Sequence, residues 1–334
     1  MIPAIDALRR LNPVVRVAPA KLNLTLAIVG RQRDGFHLLH SVFVPLALAD
    51  RLSLSPAGVA SDTLHVTGFD AGPLADNLVL RAIAMTRTAV GGGWPGGPEP
   101  APALAARLEK RIPVAAGLGG GSSDAAAALD GALESWSADV DRETRLAVAA
   151  QLGSDVPFFL AGGPALVEGR GKQVAALPGL RGHPSVVLVT PAIAVSTPDV
   201  FDLFDALGGR GNEATRMSSV HLAEELRSGL PASDLVARAG ALTVSNDLLQ
   251  ATLVLVPELV PFRRGLSRLL ARPIGLSGSG PTFWAIYPSE ADAVVAAEAV
   301  RLAVEDGRLT APGSAAPFVA ATAIRGASQQ GRES

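Results

Sequence analysis

The sequence predicts an α+β protein of two domains. Three observations carry that expectation. Strand-like segments follow one another near the N-terminus, helical segments are grouped further along, and the 334 residues exceed the roughly 100–200 of a typical single domain. Apolar residues make up 48 % of the chain, enough for a sizeable core. No fixed-period repeat occurs, which argues against a solenoid.

Taken in order, residues 14–29 alternate loosely and read as strand. Asp34 and Gly35 mark a turn, and residues 38–54, rich in Val, Leu and Phe, read as strand again. Asp76 or Asn77 can cap a helix over 78–90. Residues 91–102, GGGWPGGPEPAP, form a mobile loop. Residues 103–112 are ambiguous: their composition favours helix, yet Leu104, Ala106 and Leu108 alternate. An Ala-rich helix spans 122–135 with serines at its start, and a second spans 143–152 and stops at Gly153. Short strands and turns fill 165–188. A domain boundary near 177, where Pro and Gly cluster, divides the chain into 1–177 and 178–334. Thr197 as cap and Pro198 in the first turn open a helix ending near Gly208. Helical patterns continue to about 272, followed by a strand over 282–287, an amphipathic helix over 290–304 and a last strand over 318–324. A polar tail from about 325 frays.

Composition excludes several classes. The 29 basic and 31 acidic residues nearly cancel, so a general nucleic-acid binder is not expected. Cysteine is absent, which removes disulfides, thiolate metal sites, iron–sulfur clusters and cysteine nucleophiles. No apolar run reaches the ~18 residues of a membrane span, and the N-terminus lacks the features of a secretory signal. A soluble cytoplasmic protein, without nucleic-acid or membrane partners, is the expectation. Only three of the 29 basic residues are lysine: Lys21, Lys110 and Lys172.

Four segments carry chemistry. Residues 112–129, IPVAAGLGGGSSDAAAAL, place four glycines within 117–121, then Ser122, Ser123 and Asp124, then a helix. Glycines let backbone N–H groups approach a phosphate, and the helix N-terminus adds its positive dipole end. A linker is the bland alternative, but a linker does not normally run straight into an Ala-rich helix. Neither a Walker A loop nor a G-x-G-x-x-G fingerprint fits these residues. In residues 18–23, APAKLN, Lys21 and Asn23 share a strand face and can orient a hydroxyl or phosphate; a lone edge-strand lysine more often reaches out to solvent. In 152–159, LGSDVPFF, Asp155 is either a turn residue or a carboxylate able to accept an alcohol proton. Residues 275–283, GLSGSGPTF, form a small-residue turn entering a strand.

With these segments in this order, the chain resembles the GHMP kinase superfamily: PAKLN matches its first motif, 117–123 its second and 275–283 its third. Residues 30–37 (GRQRDGFH), 152–171 and Asn246–Asp247–Leu248 look like those of the 4-diphosphocytidyl-2-C-methyl-D-erythritol kinases within it. The resemblance implies a two-domain fold. A ribosomal-protein-S5-domain-2-like N-terminal domain would bind ATP, and a ferredoxin-like C-terminal domain would help form the substrate cleft. It also implies a strand over 103–112, ATP with Mg²⁺, and a monomer or weak homodimer acting on the cytidine diphosphate derivative of methylerythritol. Lys21 and Asp155 become the catalytic pair, with Lys21 keeping Asp155 ionised. Pro113, Ala116, Gly117, Leu118, Gly119, Gly120, Gly121, Ser122 and Ser123 would hold the nucleotide. Asn23, Phe36, His37 and Asp155 would hold the acceptor; the metal ligands are not assigned. The family usually has tyrosine where this chain has Phe36, and the sole tyrosine is Tyr287, so stacking on the base falls to Phe36 and Phe201. Rival readings are a homoserine, mevalonate or sugar kinase of the same superfamily, or a non-catalytic nucleotide- or RNA-binding module.

Overall fold

The computed structural model describes residues 13–91, 94–95 and 100–326. Residues 92–93 and 96–99 of the expected mobile loop, and 327–334 of the expected frayed tail, lie outside the described residues. The elements begin with strands β1 (Val14–Asn23), β2 (Ala27–Arg31), β3 (His37–Pro56) and β4 (Thr63–Gly68). A single 3₁₀ turn (Leu74–Asp76), helix α1 (Leu78–Val90) and β5 (Leu104–Lys110) follow. Next come α2 (Gly120–Trp136), α3 (Arg142–Leu152), α4 (Val156–Leu160), β6 (Ala165–Gly169), β7 (Gln173–Ala176) and β8 (Ser185–Thr190). Six helices then intervene: α5 (Thr197–Ala206), α6 (Glu213–Arg227), α7 (Ala232–Ala237), α8 (Ala239–Leu242), α9 (Leu249–Leu255) and α10 (Leu259–Leu270). The chain closes with β9 (Gly275–Leu276), β10 (Phe283–Tyr287), α11 (Glu290–Glu305) and β11 (Phe318–Ala323). Among the described residues no helix is long and apolar enough to cross a membrane.

Several local signals act as expected. Asn77 caps α1 by accepting from the Val79 N–H at 2.9 Å. Three expectations need correction. The strand over 14–29 is two strands, because the backbone leaves the ladder after Asn23 and the Leu26 N–H bonds to the Ser245 carbonyl. The serines of the glycine loop do not cap α2. That helix starts two residues earlier, behind Gly119, whose left-handed φ of 69° ends the loop. The cap of α5 is Ser196, one residue before Thr197; its hydroxyl accepts from the Asp199 N–H. β4 carried no sequence signal strong enough to be expected.

The described residues divide into two compact units that interleave along the chain. One holds residues up to 20 together with 49–114 and 119–160; the other holds 21–48, 115–118 and 161 onward, so position 177 falls inside the second.

In the first unit β5 lies between β3 and β4, antiparallel to β3 (Leu52 opposite Leu108) and parallel to β4. This pairing decides the ambiguous segment as strand: Leu104, Ala106, Leu108 and Lys110 all turn inward at period two. α1 and α2 pack over this face, joining Ile83, Val79, Trp136 and the alanines of α2 to Leu52, Leu54, Leu104 and Leu108.

In the second unit the N-terminal part of β3 pairs with β2 and with β6, which pairs with β7. A separate antiparallel sheet runs β11-β8-β10-β9. Its core joins Val187, Val189, Phe283 and Ala285 of the sheet to Phe262 and Leu266 of α10 and Ala293, Ala297 and Val300 of α11. A smaller cluster joins Leu26 and Ile28 to Val200 and Phe204 of α5 and to Leu248.

Leu108 is 1 % exposed, whereas Val59 is 58 % exposed. Leu108→Ala is expected to destabilise the protein by about 2–5 kcal/mol. Val59→Ala should change stability by less than ~0.5 kcal/mol. Denaturant unfolding of both variants checks the contrast.

Candidate active site

Strand alternation places Lys21 and Asn23 on the same face of β1, and the expected pairing is made: Lys21 Nζ donates to Asn23 Oδ1 at 2.6 Å. Lys21 is 4 % exposed, so it does not reach out to solvent as an edge-strand lysine would. Its ammonium also lies 4.9 Å from the centre of the Phe43 ring. Asn23 passes the network on, donating from Nδ2 to Ser41 Oγ at 3.2 Å. The Lys21 N–H donates to the Leu118 carbonyl at 2.8 Å, which ties the strand to the root of the glycine loop. Gly117 meets the third motif: Ser277 Oγ donates to its carbonyl at 2.9 Å, and a Cβ at Gly117 would stand 2.3 Å from the Ser277 carbonyl oxygen. With φ at +74°, this position excludes every other residue twice over. Gly278 completes the circle, since a Cβ there would lie 3.5 Å from Asn23 Oδ1 and 3.6 Å from Lys21 Nζ. Asn246 holds that turn, its Nδ2 donating to the carbonyls of Gly278 at 2.8 Å and Leu276 at 3.1 Å. The three motifs and the Asn246 segment, far apart in sequence, thus meet within one unit.

The remainder of the glycine loop belongs to the first unit, where it becomes the N-terminus of α2. The first N–H groups of a helix have no intrahelical partner, and no side chain caps them here. An end of this kind, with its dipole, can receive an anion. Ala116, Leu118 and Pro113 are buried and set the loop's path, while Gly121 is exposed. The turn after α3 lies beside it: a Cβ at Gly153 would stand 3.7 Å from Ser122 Oγ. Asp155, half-buried, follows two residues later and leads into α4, whose Val156, Pro157 and Phe158 are buried.

Sequence reasoning missed the cluster beneath the loop. Lys110, inward-facing on β5 and 4 % exposed, forms ion pairs with Asp50 and, at 2.7 Å, with Asp124. Asp50 Oδ1 also accepts from the N–H groups of Arg111 at 2.5 Å and Ile112 at 2.8 Å, where the chain enters the loop. Burial, then the neighbouring Asp50 charge, push the Asp124 carboxyl up to about 7 against the opposing pull of Lys110. Lys110 itself is raised: its two carboxylates outweigh the burial that would lower it. The alternation of residues 104–110 is the sequence signal for it, and by itself it is ambiguous.

The β2–β3 hairpin turn bears Phe36 and His37. Phe36 is 56 % exposed and carries the Arg170 guanidinium 3.6 Å from its ring centre; Arg170 is held by Asp34 at 2.8 Å. Phe201 stacks on His37, at 4.7 Å between ring centres. Asp205, also missed, accepts from His37 Nε2 at 2.8 Å and pairs with Arg31 at 3.0 Å.

Residues 77–163 match the family model described as the GHMP kinases N terminal domain. A 4-diphosphocytidyl-2-C-methyl-D-erythritol kinase from Pelotomaculum thermopropionicum is 37 % identical over 276 residues, covering 82 % of this chain and 88 % of the relative. A solved structure of 4-(cytidine 5'-diphospho)-2C-methyl-D-erythritol kinase superposes with a TM-score of 0.67 at 33 % identity, covering 93 % of this chain and all (100 %) of the other. Homoserine kinase from Cytophaga hutchinsonii reaches a TM-score of 0.64 at 16 % identity, covering 93 % and 95 % of the two chains, a likeness of fold alone. The fold and the joined motifs are those of the GHMP kinases, and the donor such kinases use is ATP. Within that superfamily, the chain belongs to the 4-diphosphocytidyl-2-C-methyl-D-erythritol kinase family.

The Asp124 carboxyl binds its proton more tightly in the native state, at about 7, than an unfolded aspartate does near ~3.9. Its contribution to stability is therefore greatest at low pH and falls as pH rises through that window. Raising the pH from 6 to 8 should destabilise the wild type by roughly 1 kcal/mol relative to Asp124→Asn, which lacks that carboxyl. Denaturant midpoints of both proteins across that range test it.

Proposed function

We propose that this chain transfers the γ-phosphoryl group of ATP to the 2-hydroxyl of 4-diphosphocytidyl-2-C-methyl-D-erythritol, a step in the non-mevalonate route to isoprenoid precursors. The observation that carries the reading is the close approach of Lys21 and Asn23 to Gly117, Leu118 and Gly278. Family membership supplies the acceptor, and the fold shared with a homoserine kinase does not choose between substrates.

On this reading, Pro113 and residues 116–123 cradle the ATP phosphates with backbone N–H groups and the N-terminal end of α2. The hydroxyl oxygen of the acceptor forms a bond to the γ-phosphorus as the bond to the β,γ-bridging oxygen breaks and ADP leaves. Asp155 takes the hydroxyl proton, and Lys21 stabilises charge on the transferring group. Asn23 orients the reacting end. Mg²⁺ fits this site: it takes phosphate oxygens, water and one or two protein oxygens rather than an all-protein cage. Ser122 is the candidate side-chain ligand. When bound, the metal neutralises phosphate charge. Phe36 stacks on the cytosine and His37 hydrogen-bonds to it. Residues 1–177 carry the nucleotide loop and the residues that hold the acceptor, and 178–334 help form the acceptor cleft. The protein acts in the cytoplasm as a monomer or weak homodimer.

A coupled assay of ADP release with the diphosphocytidyl substrate, mevalonate and homoserine tests the acceptor; activity only on one of the latter two overturns it. Asp155→Asn and Lys21→Ala should each lower kcat by about 10²–10⁴-fold while the fold is retained by circular dichroism. Near-wild-type turnover of Asp155→Asn removes it as the base. Phe36→Ala should raise KM for the cytidine substrate and leave KM for ATP within about twofold, the loss being one base-stacking contact.

A further inference from the structure

Asp205 grips the β2–β3 hairpin in two places. Its Oδ1 bonds His37 Nε2 at 2.8 Å, and its Oδ2 pairs with Arg31 at 3.0 Å. A carboxylate only accepts, so the hydrogen of this bond belongs to Nε2. A neutral ring with its hydrogen on Nε2 presents Nδ1 as a bare acceptor. The ring has little freedom to turn away. Phe201, one helical turn before Asp205 on α5, stacks on its face with an interplanar angle of 25°. Phe204 meets it edge-on at 5.9 Å. Arg31 fixes the other side of the hairpin by donating from Nε to the Gly35 carbonyl at 3.0 Å.

We propose that Asp205 is a positioning residue: by holding the hydrogen of His37 on Nε2 it keeps Nδ1 an acceptor, and so makes the site select cytosine over uracil. The two bases differ where this edge reads them. Cytosine carries an exocyclic amino donor at C4, and uracil carries an acceptor oxygen at the same position. An acceptor fixed in place pairs with the first and opposes the second, and a buried polar mismatch of this kind discriminates more strongly than a difference in size. The inference rests on the reading above that His37 receives the base.

Gly209 offers a way to disturb Asp205 without touching His37. Its N–H donates to the Phe204 carbonyl at 3.0 Å, its φ is +57°, and a Cβ there would stand 3.2 Å from Asp205 Oδ1.

The test compares kcat/KM for the diphosphocytidyl substrate and its uridine counterpart in wild type, Asp205→Ala, Gly209→Ala and His37→Ala. Asp205→Ala should lower the cytidine-to-uridine ratio by about tenfold or more, the loss of one well-made hydrogen bond to a buried partner. The change should lie in KM for the cytidine substrate, with KM for ATP and kcat within about twofold. Gly209→Ala should shift the ratio in the same direction by less. Nitrogen-15 shifts of the histidine ring in the wild type should report hydrogen on Nε2, and in Asp205→Ala a mixture of tautomers. A wild-type ring with its hydrogen on Nδ1, or an unchanged ratio in both Asp205→Ala and Gly209→Ala, overturns the proposal. If Asp205→Ala does not fold, Gly209→Ala and the wild-type tautomer decide it. If His37→Ala leaves the ratio unchanged, the placement of the base at His37 fails instead.

Discussion

The contact between Gly117 and the Ser277 turn is the constraint on which the site depends. Two backbone segments come so close that no side chain fits at Gly117, and the Ser277 hydroxyl fastens them. One residue on, the Leu118 carbonyl receives the Lys21 N–H. The loop is therefore anchored at its root by main-chain and hydroxyl bonds. Its later glycines stay uncapped as the start of α2. A phosphate site needs both properties: a fixed path, so that the N–H groups converge, and N–H groups not already used.

Much of this arrangement was legible in the sequence because it rests on local rules. The glycine run followed by an Ala-rich helix, the strand period that pairs Lys21 with Asn23, and Asn77 ahead of α1 each act within a few residues. What stayed hidden depends on partners distant in the chain. β5 reads as helix by composition and becomes strand because β3 and β4 flank it. Asp50 lies 60 residues before Lys110, and Asp205 lies 168 residues after His37, so no local pattern announces either pair. The serine caps at 122 and 123 failed for a different reason. Glycine can end a loop in the left-handed region, and Gly119 does so before the serines are reached.

The scarcity of lysine takes on a structural meaning here. Two of the three lysines are buried, and Lys172 is exposed. In both buried cases a compact ammonium sits among close partners: Asn23 and the Phe43 ring for Lys21, two carboxylates for Lys110. A planar guanidinium with five donors would need more room and more acceptors at either place. Elsewhere on the surface, where shape matters less, the chain uses arginine.

The Arg170 guanidinium over Phe36 has a consequence for the geometry of the proposed base site. Its position 3.6 Å from the ring centre occupies one of the two faces of that ring. A base can then lie only on the other. Arg170 in turn is anchored to Asp34 in the same hairpin turn, so the blocked face is defined by the hairpin itself. Phe36 thereby acquires a front and a back, a handedness that a bare phenyl ring lacks. The approach of a ligand to this turn becomes directional before any hydrogen bond is made.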